Sequence, residues 1–254
     1  MNPIRPHILL CNDDGFRAPG IQQLSTALLA FADVTIVAPE GPRSGFSSAI
    51  TSNHPLRLKP RYEGNGLRVY SCEGAPVDCV KLGLHALFAD AAPDLVISGI
   101  NHGSNEGICV HYSGTVGAAR EACIQGLKAL ATSIDDTALR PDFGEAIAYT
   151  IRVARQMLVQ DMPRGRFLSL NVPRGEVKGL RICPQSSGRF VDEYMKSSNA
   201  RGHDVFWLQG YQQPDREGAE DDLHLMRSGY ATLTPLMIDQ TDYELLQVLE
   251  GSFC

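Results

Sequence analysis

The apolar run His7-Ile8-Leu9-Leu10-Cys11 stops abruptly at Asn12-Asp13-Asp14-Gly15, and this junction constrains the chain more than any other stretch. A short apolar segment bounded in this way predicts a buried strand of a parallel sheet, whose carboxyl end opens into a ligand crevice. Two neighbouring carboxylates there repel each other and are costly to desolvate unless a cation lies between them. Asp13 and Asp14 therefore read either as the first ligands of a divalent metal or as the cap and turn before a helix.

Alternating helices and strands succeed this junction. Ile21, Leu24, Leu28 and Phe31 recur at helical spacing, and residues 33–39 form a β-branched run stopped by Pro39. Strand, helix, strand at this spacing is a βαβ unit, which predicts a Rossmann-like, mostly parallel α/β sheet with helices on both faces. Short strands are expected over 54–59 and 67–71 around a Gly-Asn-Gly turn. A helix is expected from Pro76, with Val77, Val80, Leu84 and Leu87 on one face. A strand before Gly99, a strand over 128–134, a helix over 146–158 and a strand over 167–173 continue the alternation. Asp78 fits the dipole of its helix and takes no catalytic role.

Beyond about Arg174 the alternation degrades. Residues 1–175 are expected to form the catalytic core. Residues 176–254 are expected to form an extended β-rich arm, packing on the core and on neighbouring subunits. Isolated strands over 204–209 and 231–235 need partners there, which a second subunit can supply, and Trp207 is expected in such an interface. A short helix over 244–249 is expected to close the chain.

Loops that come after parallel strands share one edge of the sheet. After the second strand, Arg43-Ser44-Gly45 is either an ordinary loop or one in which Ser44 offers a hydroxyl to a metal and Arg43 a cationic donor. A hard cation such as Mg2+ accepts neutral oxygens alongside carboxylates. After the next buried strand, Ser98-Gly99-Ile100-Asn101 should bring Asn101 beside the two acids. Tyr112-Ser113-Gly114-Thr115 precedes another helix, as a plain N-cap or as a phosphate cradle of free N–H groups and two hydroxyls. His111 beside it reads as a packed imidazole. The chain has neither a Walker A loop nor Gly-x-Gly-x-x-Gly, so a nucleotide cofactor on a Rossmann glycine loop is unsupported.

Composition excludes further classes. The net charge of -6 argues against a nucleic-acid polymer as partner and leaves a metal to attract any anionic ligand. The seven cysteines are scattered and never spaced as Cys-x-x-Cys, which suits reduced thiols in a cytoplasmic protein. The opening residues 1–7 lack the apolar segment of a signal peptide, and no run is long enough to span a bilayer.

In order, Asn12-Asp13-Asp14-Gly15 with Ala18-Pro19-Gly20, Arg43-Ser44-Gly45, Ser98-Gly99-Ile100-Asn101 with Gly103 and Asn105, and Tyr112-Ser113-Gly114-Thr115 resemble the stationary-phase survival protein SurE family. The resemblance extends through Asn171-Val172-Pro173 to Gly229-Tyr230 and Thr234-Pro235, nearly the whole chain. It implies a metal-dependent 5′-nucleotidase that releases phosphate from nucleoside monophosphates, with 3′-nucleotidase and short-chain polyphosphatase activity besides. One divalent ion per subunit, Mg2+ or Mn2+, would be held by Asp13, Asp14, Ser44 and Asn101, with the two aspartates as the catalytic acids. Asn12, Gly103, Asn105, Ser113, Gly114 and Thr115 would contact the substrate and its phosphate. Attack by an activated water and attack by an aspartate both remain open. Homodimers or homotetramers through the C-terminal extension are implied as well.

One departure falls at Gly107-Ile108-Cys109-Val110, where many members carry acidic or polar residues. A rival from another class is a response-regulator-like phospho-acceptor module, which also places paired acids after its first strand. Its acceptor Asp would fall where this chain has Asn101, and the chain is about twice the length of such a module.

Overall fold

The computed structural model describes residues 5–216 and 218–253; Met1 to Ile4 of the opening segment, Glu217 of the polar tail and the thiol of Cys254 lie outside the described residues. The first half of the chain runs β1 (His7–Cys11), α1 (Pro19–Leu28), β2 (Asp33–Pro39), β3 (Leu58–Gly64), β4 (Leu67–Cys72), α2 (Pro76–Leu87), β5 (Leu95–His102) and α3 (Gly114–Ile124). It continues with β6 (Ala129–Asp135), α4 (Gly144–Val159), β7 (Arg166–Pro173), β8 (Leu180–Ile182), β9 (Gly188–Val191), β10 (Tyr194–Ser198) and β11 (Asp204–Leu208). Last come β12 (Tyr211–Pro214), α5 (Asp222–Arg227), β13 (Ala231–Met237) and α6 (Tyr243–Phe253).

Nine strands make one sheet in the order β3-β4-β2-β1-β5-β6-β7-β13-β8. From β4 to β7 every pairing is parallel. The side chains of β1 show why two helical layers form. Ile8 and Leu10 face one cluster with Ile21, Leu24 and Leu28 of α1 and Val153, Ala154 and Met157 of α4. Leu9 and Cys11 face the other with Val80 of α2 and Val116 and Ala119 of α3. Both faces are apolar because both are covered, the expected state of a parallel sheet. Each fully buried Leu or Ile contributes about 1.5–3 kcal/mol, so these layers fix the strand ends firmly.

Two expectations need correction. The first strand of the β3–β4 hairpin begins at Leu58 and runs to Gly64, four residues later than expected. Its Pro60 sits at a register irregularity of an edge strand, where a missing N–H breaks no ladder. Residues 231–235 are not isolated: β13 lies antiparallel to β7 inside the main sheet, and β8 extends it. The segment that stands apart from the main sheet is 188–214, which forms the pairs β9–β12 and β10–β11.

Candidate active site

Asn12 closes the turn after β1. Its side-chain amide donates to the Gly15 carbonyl at 3.1 Å, and its carbonyl oxygen accepts from the Gly15 N–H at 3.1 Å. Gly15 takes φ 101°, which an L side chain rarely adopts. The turn projects Asp13 and Asp14 from the sheet edge in defined directions. Asn12, expected to touch substrate, is instead fully buried with both ends of its amide bonded to Gly15.

Each acid has one oxygen anchored by a donor. Thr115 Oγ1 donates to Asp13 Oδ1 at 2.7 Å, and the backbone N–H of His102 donates to Asp14 Oδ2 at 3.3 Å. Asp13 is only 3% exposed, and burial pushes its pKa up to about 6. The Thr115 hydrogen bond pulls the other way, and the neighbouring Asp14 adds to the rise. Burial raises Asp14 too. Neither acid has an ion-pair partner among the described residues. A buried anion without a cation is costly, so a positive ligand between the two acids would relieve them.

The other sequence-selected loops arrive at the same place. Arg43 N–H donates to the Asp13 carbonyl at 2.7 Å, which sets Ser44 beside the acids. Ser44, Asp13, Asn101, Gly103, Asn105 and Ser113 all line one cavity of about 580 Å³. Asn101 donates its side-chain N–H to the Gly103 carbonyl at 2.6 Å, which leaves its Oδ1 as the available atom. Carboxylates, a hydroxyl and an amide oxygen form the donor set of a hard divalent cation. The residues present fit such an ion.

Two glycines permit this convergence. Gly114 and Gly117 lie one turn apart on α3. A Cβ at Gly114 would come within 3.0 Å of Asp13 Cβ and 3.1 Å of Asp13 Oδ2, and one at Gly117 would strike the Ser47 carbonyl. The first turn of α3 thus seats both the acid loop and the loop carrying Ser44. Gly99 serves the same end on β5, where a Cβ would strike the Thr132 carbonyl. The register of β5 against β6 shifts between Ser98 and Asn101, and this irregularity turns Asn101 and His102 toward the acids.

Several expected roles differ in detail. The Thr115 hydroxyl, fully buried, is turned to Asp13, and its backbone N–H also serves that carboxylate, so Thr115 orients the acid. Ser113 caps α3, with its Oγ accepting from Val116 N–H at 3.1 Å. Asn105 is held by Ser133 at 2.8 Å and by Asn171 at 2.7 Å, and still borders the cavity. The Arg43 guanidinium reaches the Glu73 carbonyl at 3.4 Å, away from the acids. His111 is exposed rather than packed. Asp78 is structural as expected, accepting from Ala75 N–H and from Thr51.

Sequence reasoning missed His102, Gly117 and the far wall of the cavity. That wall comes from the segment that stands apart from the sheet and includes Phe190 and Glu193. The Gly-x-x-Gly spacing at the start of α3 was the one visible signal of a close approach.

Known proteins are similar to this chain over nearly its whole length. Residues 8–192 match the family described as Survival protein SurE. A Porphyromonas gingivalis protein named 5′-nucleotidase SurE is 51% identical over 243 residues, covering 96% of this chain and 94% of its own length. A protein of the same name from Phocaeicola vulgatus is 40% identical over 253 residues, covering 99% and 98%. The crystal structure of Sure protein from Aquifex aeolicus shares the fold with a TM-score of 0.83 at 30% identity, over 97% of this chain and 99% of that one.

Proposed function

The chain belongs to the SurE family of survival proteins, and on that premise we propose that it is a divalent-metal-dependent phosphomonoesterase that converts nucleoside monophosphates to nucleoside and phosphate. 5′-Nucleotides are the principal substrates, with 3′-nucleotides and short polyphosphate chains as further ones. The observation that carries this reading is the single cavity bordered by Asp13, Ser44, Asn101 and the start of α3.

Asp13, Asp14, Ser44 and Asn101 would hold one Mg2+ or Mn2+ per subunit. Bound there, the ion supplies charge neutralisation at the phosphate and acidifies water. The chain's own groups do the rest. Thr115 and the His102 N–H fix the two carboxylates in orientation, so no reorganisation is needed as charge develops. Gly103 and Asn105 already donate their N–H groups to Ile134 and Asn171, so the N–H groups of Gly114 at the start of α3 and of Ser104 would bind phosphate oxygens, as helix starts do for anions. Asn101 stands where a signalling module would need its acceptor Asp, so the phospho-acceptor alternative gains no support from the site.

A second copy of the chain is proposed as the partner. Phe206, Trp207 and Leu208 of β11 are more than 60% exposed, as is Val248 of α6, and Leu245 is half exposed. Apolar surface of this kind is covered in stable assemblies. Among the described residues no helix is long and apolar enough to cross a membrane. The six described cysteines are free, which supports a cytoplasmic setting.

Phosphate release from a panel of nucleoside monophosphates, with Mg2+ or Mn2+ and with chelator, tests the proposal. Metal-dependent release is expected. Absence of release from every monophosphate at saturating metal overturns it.

A further inference from the structure

The cavity that takes the phosphate has a second wall, and that wall is built differently. It joins Tyr112, just before α3, to Phe190 of β9, whose ring centroids lie 6.4 Å apart at 59°. Glu193 and Gln209 complete it at the base of the β10–β11 hairpin, where the Gln209 N–H donates to the Glu193 carbonyl at 2.8 Å and sets the two side by side. Among the described residues the Glu193 carboxylate and the Gln209 carboxamide make no side-chain hydrogen bond, and Glu193 no salt bridge, so their polar atoms are free to face a ligand.

This wall is held in place from the core. Gln212 of β12 donates to the Glu106 carbonyl at 3.1 Å and accepts from Ile108 N–H at 3.2 Å. Gln185 donates to the Gly107 carbonyl at 2.8 Å. Gly107 has φ 53°, and a Cβ there would collide with the Gln212 amide. The stretch 106–108 is therefore the seat of the segment that carries Phe190 and Glu193.

We propose that this wall is the nucleobase subsite and that it selects guanine. The inference rests on the nucleotidase reading of the same cavity. The two rings offer stacking faces at the distance from the metal loops that one cavity spans. A carboxylate only accepts, and guanine alone among the four common bases presents two adjacent donors, N1–H and N2–H2, on one edge. The Gln209 carboxamide can donate to O6 beside them. Uracil presents one N3–H between two carbonyl oxygens, which the Glu193 carboxylate repels. Tyr112 and Phe190 are thus specificity-determining through stacking, and Glu193 through the base edge.

The test measures equilibrium binding of GMP, AMP, CMP and UMP by calorimetry. It also measures kcat/KM for the same four and for ribose 5-phosphate, with Mn2+, in the wild type, Phe190→Ala and Glu193→Gln. Phe190→Ala is expected to weaken all four nucleotides about tenfold, a typical stacking loss, with little change for ribose 5-phosphate, which has no base. Glu193→Gln is expected to lower GMP about tenfold or more and leave AMP nearly unchanged, erasing a wild-type preference for GMP. Equal handling of the four bases by the wild type, or loss of ribose 5-phosphate turnover in step with the nucleotides, overturns the inference. If guanine-selective binding responds to both variants but no phosphate is released, the subsite stands and the hydrolytic reading falls.

Discussion

Thr115 donates its hydroxyl to Asp13 Oδ1 at 2.7 Å across 102 residues of sequence, joining the end of β1 to the first turn of α3. Neither group is of use to the other unless the sheet edge and the helix start are in register. The bond fixes one carboxylate oxygen and leaves the second for a ligand.

Thr115→Val keeps the shape and removes that donor. Asp13 is then free to rotate, and kcat/KM should fall by about 10- to 100-fold, as expected for a misplaced ligand group. Unfolding stability should drop by only about 1 kcal/mol, the usual net worth of such a bond. Thr115→Ser should restore most of the activity. Steady-state kinetics with a denaturant melt of each variant separates the two effects.

Asp13→Asn should abolish turnover and stabilise the metal-free protein. The folded Asp13 carboxyl titrates near 6, above its ordinary value of 3.8, so the fold prefers it protonated. Wild-type stability is therefore lost as pH rises from about 4 through 6, and the full cost stands above that. At two pH units this amounts to about 1–3 kcal/mol, a gain of roughly 5 °C in Tm for the variant at pH 8, shrinking toward zero at pH 4. Thermal melts in chelator across that range check the sign. Adding Mn2+ should raise the wild-type Tm and leave the variant where it was.

Asn12→Ala should behave as a folding mutation. Its amide closes the turn with two buried bonds to Gly15; truncation leaves the Gly15 N–H unpaired, while the Gly15 carbonyl still accepts from Ala18 N–H at 3.0 Å. A loss of about 1–3 kcal/mol is expected, the cost of one orphaned buried group. At temperatures where the variant is folded its KM should stay close to that of the wild type. A large KM increase with unchanged stability would show a substrate contact instead.

Gly114→Ala adds a methyl within 3.0 Å of Asp13. The methyl also meets Pro76 Cγ at 3.1 Å, so the small helix-propensity gain at this first helical position is offset by crowding and the Tm should change little. The acid must shift by a few tenths of an ångström, and activity should fall about tenfold. Kinetics beside a thermal melt decide between this and a general packing defect.

Trp207→Glu should shift the oligomer toward smaller species without lowering the Tm of the core. Trp207 is 63% exposed on β11, outside the main sheet. Light scattering at several concentrations reads the mass. A wild type that is monomeric at every concentration would remove the reason for the prediction.

The strand ends at Asp13, Ser44 and Asn101 were legible because each comes after an apolar run, and parallel topology then places them on one edge. Partnerships across the fold were not legible. Nothing near Thr115 or Asn12 in sequence says whether an oxygen faces substrate or another side chain. β13 looked solitary because its partner β7 lies about sixty residues earlier, and an antiparallel strand at the end of a parallel sheet gives no local sign. The β3 boundary failed because proline is tolerated at an edge irregularity. Phe190 and Glu193 lay in a polar segment without periodicity, and only the anchoring of Gln212 and Gln185 to residues 106–108 brings them to the cavity.

In the proposed function, three loops jointly hold one divalent cation. Calorimetric titration of Mn2+ into the metal-free protein, repeated on Asp14→Asn, Ser44→Ala and Asn101→Ala, tests it most directly. One ion per subunit is expected in the wild type, with about tenfold weaker binding, or more, when any one of the three is changed, in keeping with losses from a disturbed metal shell. Undiminished affinity in all three variants would contradict it.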